Sequence, residues 1–370
     1  MSCSVFCVRP ELASVIEDQE LIRGFLRRNS TRKSVRGCGL PIPSSDGDRG
    51  MGLMSGKRPG FCNVALCRSS FCCPFCARKI AETRRDQVRG VLDGTCGSFV
   101  TLTVAHHKRD SLKAQLDLLM DSWKAVSNAV QIDGVPWIRV LEIRRGVNGW
   151  HGHLHVILIG VDPAMLIARG RRRDTIEDGW LISSWCRNVR KRGGVAVPEA
   201  QCIKAYDCSE VAQALYPEAD LPGYMAKELT FSERKPGESE SPWNILEDAA
   251  NEWACGMIGR QCKLWREYED ATEKRPWCRF SKGLLAELED DDEGDTVDVA
   301  GDEVEADQVV AWIPSSVAFK LTPKDRAQLR QAAYLDDGET VEDAEERLHT
   351  LVSDNLHYVR LQISDGRMAR

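Results

Sequence analysis

The run Trp150-His151-Gly152-His153-Leu154-His155-Val156-Ile157-Leu158-Ile159 places histidine at every second position and then continues apolar, a two-residue period that belongs to an extended strand. Side chains two apart on a strand share a face. His153 and His155 therefore present two imidazoles together, while Leu154, Val156 and Leu158 face the other way. Just upstream, Pro136 to Ile143 (PWIRVLEI) is rich in β-branched and aromatic residues and reads as a second strand. Between the two lies Arg144-Arg145-Gly146-Val147-Asn148-Gly149, a turn signal. A turn centred on Val147-Asn148 predicts an antiparallel hairpin with Glu142 opposite His153 on one face.

Two imidazoles and a carboxylate on a stiff sheet leave coordination positions open, as a catalytic divalent metal needs. Glu142, His153 and His155 are the candidate ligands, and His151 shares their face. The competing reading is that alternating histidines on an edge strand are solvated polar positions.

No 18-residue apolar run occurs and the first twenty residues lack a secretory hydrophobic core, so a cytoplasmic protein is expected. In that setting fifteen cysteines point to metal sites and reduced core thiols rather than to disulfides. The net charge of −6 hides an asymmetry. Glu287 to Asp307 holds twelve acidic residues and no basic one, and taking those twelve charges away leaves the rest of the chain at +6. Leu21 to Gly60 carries nine Lys or Arg against two Asp. A basic body beside a detached acidic run suits a polyanionic partner; a plain solvated linker accounts equally for the run itself.

Five regions follow. Residues 1–60 are basic and end in a Gly/Pro/Ser-rich stretch, expected to be partly disordered; 61–95 form a Cys-rich module leading into a charged helix. Residues 96–285 form the main domain, 286–307 an acidic linker, and 308–370 a small helical module. Within the main domain a strand at Ser98–Val104 precedes a helix whose apolar stripe is Leu112, Leu116, Leu119, Trp123 and Val126. The hairpin comes next, then a helix near Asp174–Arg192 and a strand near Ala200–Tyr206. This order predicts an α+β fold, an antiparallel sheet with flanking helices.

Cys62, Cys67, Cys73 and Cys76 supply four thiols within fifteen residues, closed by the knuckle Cys73-Pro74-Phe75-Cys76. That spacing suits a structural zinc site, with a redox Cys-x-x-Cys pair as the rival. Further on, Leu221-Pro222-Gly223-Tyr224-Met225-Ala226-Lys227 puts proline at the first turn of a helix. Tyr224 and Lys227 then share a face. A phenol with pKa near ~10 is a poor nucleophile, and a neighbouring ammonium favours its reactive phenolate.

The order Phe99-Val100-Thr101-Leu102-Thr103, then His151-Gly152-His153-Leu154-His155, then Tyr224-Met225-Ala226-Lys227 resembles the three motifs of plasmid rolling-circle replication initiators (Rep proteins), single-tyrosine members of the HUH endonuclease superfamily. The resemblance extends from Cys67 through Leu264-Trp265-x-Glu267-Tyr268 to Phe280-Ser281-Lys282-Gly283-Leu284, roughly residues 62–285. It implies a ferredoxin-like or RRM-like sheet and Mg or Mn at His153, His155 and Glu142. It also implies a metal-dependent single-strand DNA endonuclease and strand transferase: Tyr224 attacks origin DNA, forms a 5′-phosphotyrosyl adduct and frees a 3′-OH primer. Phe99–Thr103 would support the metal hairpin, and His106 and His107 would contact DNA or solvent. Asp220 stands where some relatives carry the carboxylate that activates water in termination. Pro222, however, biases Leu221 away from helical angles, so Asp220 and Glu218 are candidates for that base or a simple helix cap. No G-x-x-x-x-G-K-[ST] motif occurs, so a host helicase and a host DNA polymerase are the implied partners.

Two other classes use similar parts. A relaxase or single-strand transposase shares the metal and tyrosine logic, but relaxases generally place their tyrosine near the N-terminus. A non-catalytic, zinc-containing DNA-binding regulator would leave the co-occurrence of Glu142, His153, His155 and Tyr224 unexplained. An RNA-directed role fits the sheet but not the histidines at its centre.

Overall fold

The computed structural model describes residues 10–42, 50–132, 134–168, 180–208, 239–285, 309–354, 356 and 362–363. These fall into two compact units, drawn from Arg68–Ile245 with Lys263–Val297 and from Met1–Cys67 with Leu246–Cys262 and Asp298–Arg370. Each unit has its own antiparallel sheet, so the chain is α+β. Asp220, Tyr224, Lys227, Glu218 and the acidic run 286–307 lie outside the described residues. Among the described residues no helix is long and apolar enough to cross a membrane.

The larger unit contains α3 (Pro74–Leu92), β3 (Cys96–Thr103), α4 (Leu112–Ile132), β4 (Trp137–Gly146) and β5 (Gly149–Ile159). It continues with α5 (Pro163–Ala168), α6 (Trp180–Lys191), β6 (Cys202–Asp207) and β7 (Cys278–Phe280). All neighbouring strands pair antiparallel in the order β6-β3-β5-β4-β7, which puts the histidine strand in the centre. It is therefore not an edge strand. The hairpin register runs Gly146↔Gly149, Arg144↔His151, Glu142↔His153 and Val140↔His155, with the two-residue turn at Val147-Asn148.

Alternation divides the sheet into two faces. Leu102, Leu141, Leu154, Val156 and Leu158 turn to one side and are fully buried. Onto that side packs α4, whose stripe Leu112, Leu116, Leu119, Trp123 and Val126 is also buried, and Trp123 meets Trp137 edge-on at 5.4 Å. Burying each such side chain stabilises by roughly 1.5–3 kcal/mol. Gly152 stands on the same side; a Cβ there would come within 2.7 Å of Leu119 Cδ1, so the absent side chain lets α4 close on β5. The His151, His153 and His155 side chains project from the opposite face.

The second unit combines α1 (Pro10–Asn29), α2 (Lys33–Gly37), β1 (Met51–Met54) and β2 (Gly60–Cys62) with β8 (Val309–Ile313), α7 (Ser315–Ala318), α8 (Pro323–Ala332), α9 (Val341–Asp354) and β9 (Gln362–Ile363). Its sheet order is β2-β1-β8-β9, and Met51, Leu53, Val310, Ile313, Leu329, Leu348 and Leu351 form its core. Thr322 and Asp325 cap α8 reciprocally and Pro323 opens its first turn. Within the N-terminal region expected to be partly disordered, residues 10–29 form a helix with Ile16, Ile22, Phe25 and Leu26 buried. The C-terminal segment shares a core with Met51 and Leu53 of β1 rather than forming a separate helical module, because β8 pairs directly with β1.

Part of the N-terminal basic charge is folded inward. The Glu20 carboxylate, 1% exposed, lies 2.9 Å from Arg330 Nη1, 3.3 Å from Arg326 Nε and 3.5 Å from Arg23 Nε. Burial alone would raise its pKa; the three guanidinium groups outweigh that and hold it below the ordinary carboxylate value.

Candidate metal centre and thiol cluster

The sheet brings Glu142, His153 and His155 together on one face. Glu142 pairs with His153 in the ladder, yet its carboxylate accepts a hydrogen bond from His155 Nε2 at 2.6 Å. Arg144 Nε donates to the other carboxylate oxygen at 3.3 Å. His155 is buried at 4% exposure and stacks on Phe99 with ring centroids 5.4 Å apart; its Nδ1 lies 3.2 Å from the Thr101 hydroxyl. Thr101 reaches it because β3 pairs Thr101 with His155 directly.

Burial lowers the His153 pKa to about 4, with the neighbouring histidines acting in the same direction and Glu142 opposing them. Its imidazole is thus neutral at ordinary pH, the form that ligates metals. His151 is lowered too, by burial and then by His106. His106 stacks on His151 at 5.4 Å, and His151 meets His153 edge-on at 5.3 Å, so four imidazoles form a row that ends at Glu142.

Chemically this is a carboxylate and two imidazoles on a rigid central hairpin, a donor set that fits a divalent ion. Thr101 supplies the outer contact that such a histidine needs: in the tautomer whose Nδ1–H donates to the Thr101 hydroxyl, a bound ion would take the place of the Nε2 proton. Three residues here escape sequence reasoning, which sees Arg144 only as part of the turn, Thr101 only as support and His106 only as a loop contact. The even spacing of Thr101 within its strand is a signal for the threonine; nothing local marks His106.

The thiol cluster differs from the expected one. Cys38, Cys67, Cys73 and Cys76 have sulfurs all within 4.8 Å of one another, a cluster that can hold a metal such as zinc. A tetrahedral zinc with ~2.3 Å bonds sets its sulfurs roughly 3.8 Å apart, within that spread. Cys62, expected as a ligand, is not in the set. β2 pairs it with Gly52, and its sulfur fills the space where a Gly52 side chain would be. Burial there raises its thiol pKa, which disfavours the thiolate that a metal needs.

Fold and centre together define an α+β protein with a histidine–carboxylate face and a separate four-thiol cluster. No family model, curated protein or solved structure matches the chain.

Proposed function

We propose that this chain is a rolling-circle replication initiator of the single-tyrosine HUH type, with an HUH or ferredoxin-like catalytic sheet, that nicks single-stranded origin DNA and rejoins it. The observation that carries this reading is Glu142 standing opposite His153 and bonded to His155 on the central hairpin of a five-stranded antiparallel sheet. Structural histidines have no need of a carboxylate partner at that register.

Glu142, His153 and His155 would hold Mg²⁺ or Mn²⁺, which when bound supplies Lewis-acid polarisation of the scissile phosphate. Thr101 and Phe99 keep the His155 ring in place, and Arg144 keeps the Glu142 carboxylate turned toward the histidines. Tyr224 is the nucleophile. Its oxygen forms the bond to phosphorus, the 3′ oxygen leaves with the bonding pair and takes up a proton, and Lys227 favours the phenolate. The 3′-OH primes a host polymerase behind a host helicase; reversal by the new 3′ end rejoins the strand. Asp220 and Glu218 are the candidates for a termination base. Zinc at the thiol cluster is structural.

The test is a denaturing gel of wild type and Tyr224→Phe with Mn²⁺ and single-stranded DNA from the chain's own replicon. A slow-migrating, nuclease-trimmable adduct from wild type alone is expected. An adduct from Tyr224→Phe would move the nucleophile elsewhere. No adduct from either protein, with DNA binding intact, would replace the enzyme with a non-catalytic origin binder.

A further inference from the structure

At the open end of the histidine row the structure forms a cationic pocket that this mechanism does not use. His106, His107, Lys108, Arg109 and Asn148 line it. All but His106 are exposed, and among the described residues Lys108 and Arg109 are in no ion pair. The loop is held in shape: His107 N donates to Asp110 Oδ2 at 2.7 Å, Asp110 N to His107 O at 2.9 Å, and Ala105 N to Val195 O at 2.8 Å. Asp110 is thus engaged in the turn. Gly149 has φ +93°, and a Cβ there would lie 3.0 Å from Lys108 Cα, so the hairpin tip and the basic loop abut. His106 joins the pocket to the row through its stack on His151.

Apolar side chains nearby stand in the open. Val147, next to Asn148 at the hairpin tip, is 88% exposed, and Val195, whose carbonyl accepts from Ala105 N, is 58% exposed. Solvent-facing valines near two exposed cations suit a ligand that is anionic along its backbone and apolar on its faces. Unstacked nucleotides have both properties, whereas a duplex hides its base faces.

We propose that Lys108, Arg109 and Asn148 bind a backbone phosphate of single-stranded DNA flanking the scissile one, while Val147 packs against an adjacent base. This rests on the reading of the His–Glu face as a phosphate-cleaving site, and it assigns these residues to positioning rather than to chemistry. A rigid pocket one step from the reacting phosphate limits how far the strand can slide, which raises the fraction of bound DNA poised for attack.

The experiment is fluorescence anisotropy of labelled oligo-dT over a salt series, with wild type, Lys108→Ala/Arg109→Ala and Val147→Ser. The sites are exposed, and circular dichroism checks each fold. The double variant should bind more weakly, with a slope of log K against log salt shallower by about 0.7 for each phosphate it no longer neutralises. Val147→Ser should weaken binding to oligo-dT but not to an abasic strand. An unchanged slope and affinity in the double variant would overturn the pocket, and so would an equal weakening on a blunt duplex. The adduct gel separates the two readings. Wild-type adduct with an unchanged slope sinks the pocket alone; a shallower slope with no wild-type adduct sinks the nuclease and keeps a strand-binding pocket.

Discussion

Glu142 stands across the ladder from His153, but its carboxylate bonds at 2.6 Å to His155, one pleat further along. The diagonal bond gathers the three candidate ligands around one carboxylate, and Thr101 at 3.2 Å completes the chain on the far side of the His155 ring.

Metal affinity should therefore depend on Thr101 although it is no ligand. Thr101→Val removes the Nδ1 partner while keeping the shape. Mn²⁺ binding followed by calorimetry or electron paramagnetic resonance should weaken roughly 10–100-fold, the usual size of such outer effects. Glu142→Ala should weaken it more. Equal affinity in wild type and Thr101→Val would show that the threonine serves packing only.

The buried imidazole makes stability pH-dependent. His153 titrates at about 4 in the folded chain against 6.5 for the free side chain, so between those values the unfolded state binds the extra proton. Stability is full above pH 6.5 and declines on acidification toward pH 4, by on the order of 3 kcal/mol for this group. Urea midpoints of metal-free protein at about pH 7 and pH 5, on either side of that onset, should differ, and His153→Gln should narrow the difference. A pH-independent midpoint in wild type would contradict the assignment.

Zinc content should follow Cys38 rather than Cys62. Cys38→Ser should lower the metal retained per chain on elemental analysis, whereas Cys62→Ser should keep it. The opposite pattern would restore the ligand set that sequence spacing suggests.

Removing Glu20 leaves Arg326 and Arg330 buried beside Arg23 without their common carboxylate. Glu20→Ala should cost about 3–5 kcal/mol in denaturant unfolding, the usual penalty for breaking a buried ion pair from one side. Lys57→Ala, which removes an exposed pair with Asp337, should leave the midpoint unchanged.

The histidine hairpin is legible in the sequence because its information is local. A two-residue turn between alternating segments leaves one register that keeps Leu154 and Val156 on the apolar side, and that register carries Glu142 to His153. The stripe of α4 is legible for the same reason, since its buried positions recur at helical spacing. The placement of β5 at the sheet's centre is less so, because histidines on a strand read equally well as an exposed edge.

Beyond the sequence lies whatever distant segments supply to one another. Cys38 joins the thiol cluster from outside the fifteen-residue window in which spacing can be counted, and Cys62 leaves it because strand pairing turns its sulfur toward Gly52. The basic N-terminal stretch reads as partly disordered. Its Arg23 instead stands beside Glu20 with residues some three hundred positions later, as in the Arg330–Glu20 contact. By itself the sequence determined the strands of the histidine hairpin, the α4 stripe and the hairpin register, since periodicity and turn chemistry act over a few residues. Only the tertiary structure decided which cysteines meet, which histidines stay neutral and which charges are buried, because proximity and desolvation arise only when the chain closes on itself.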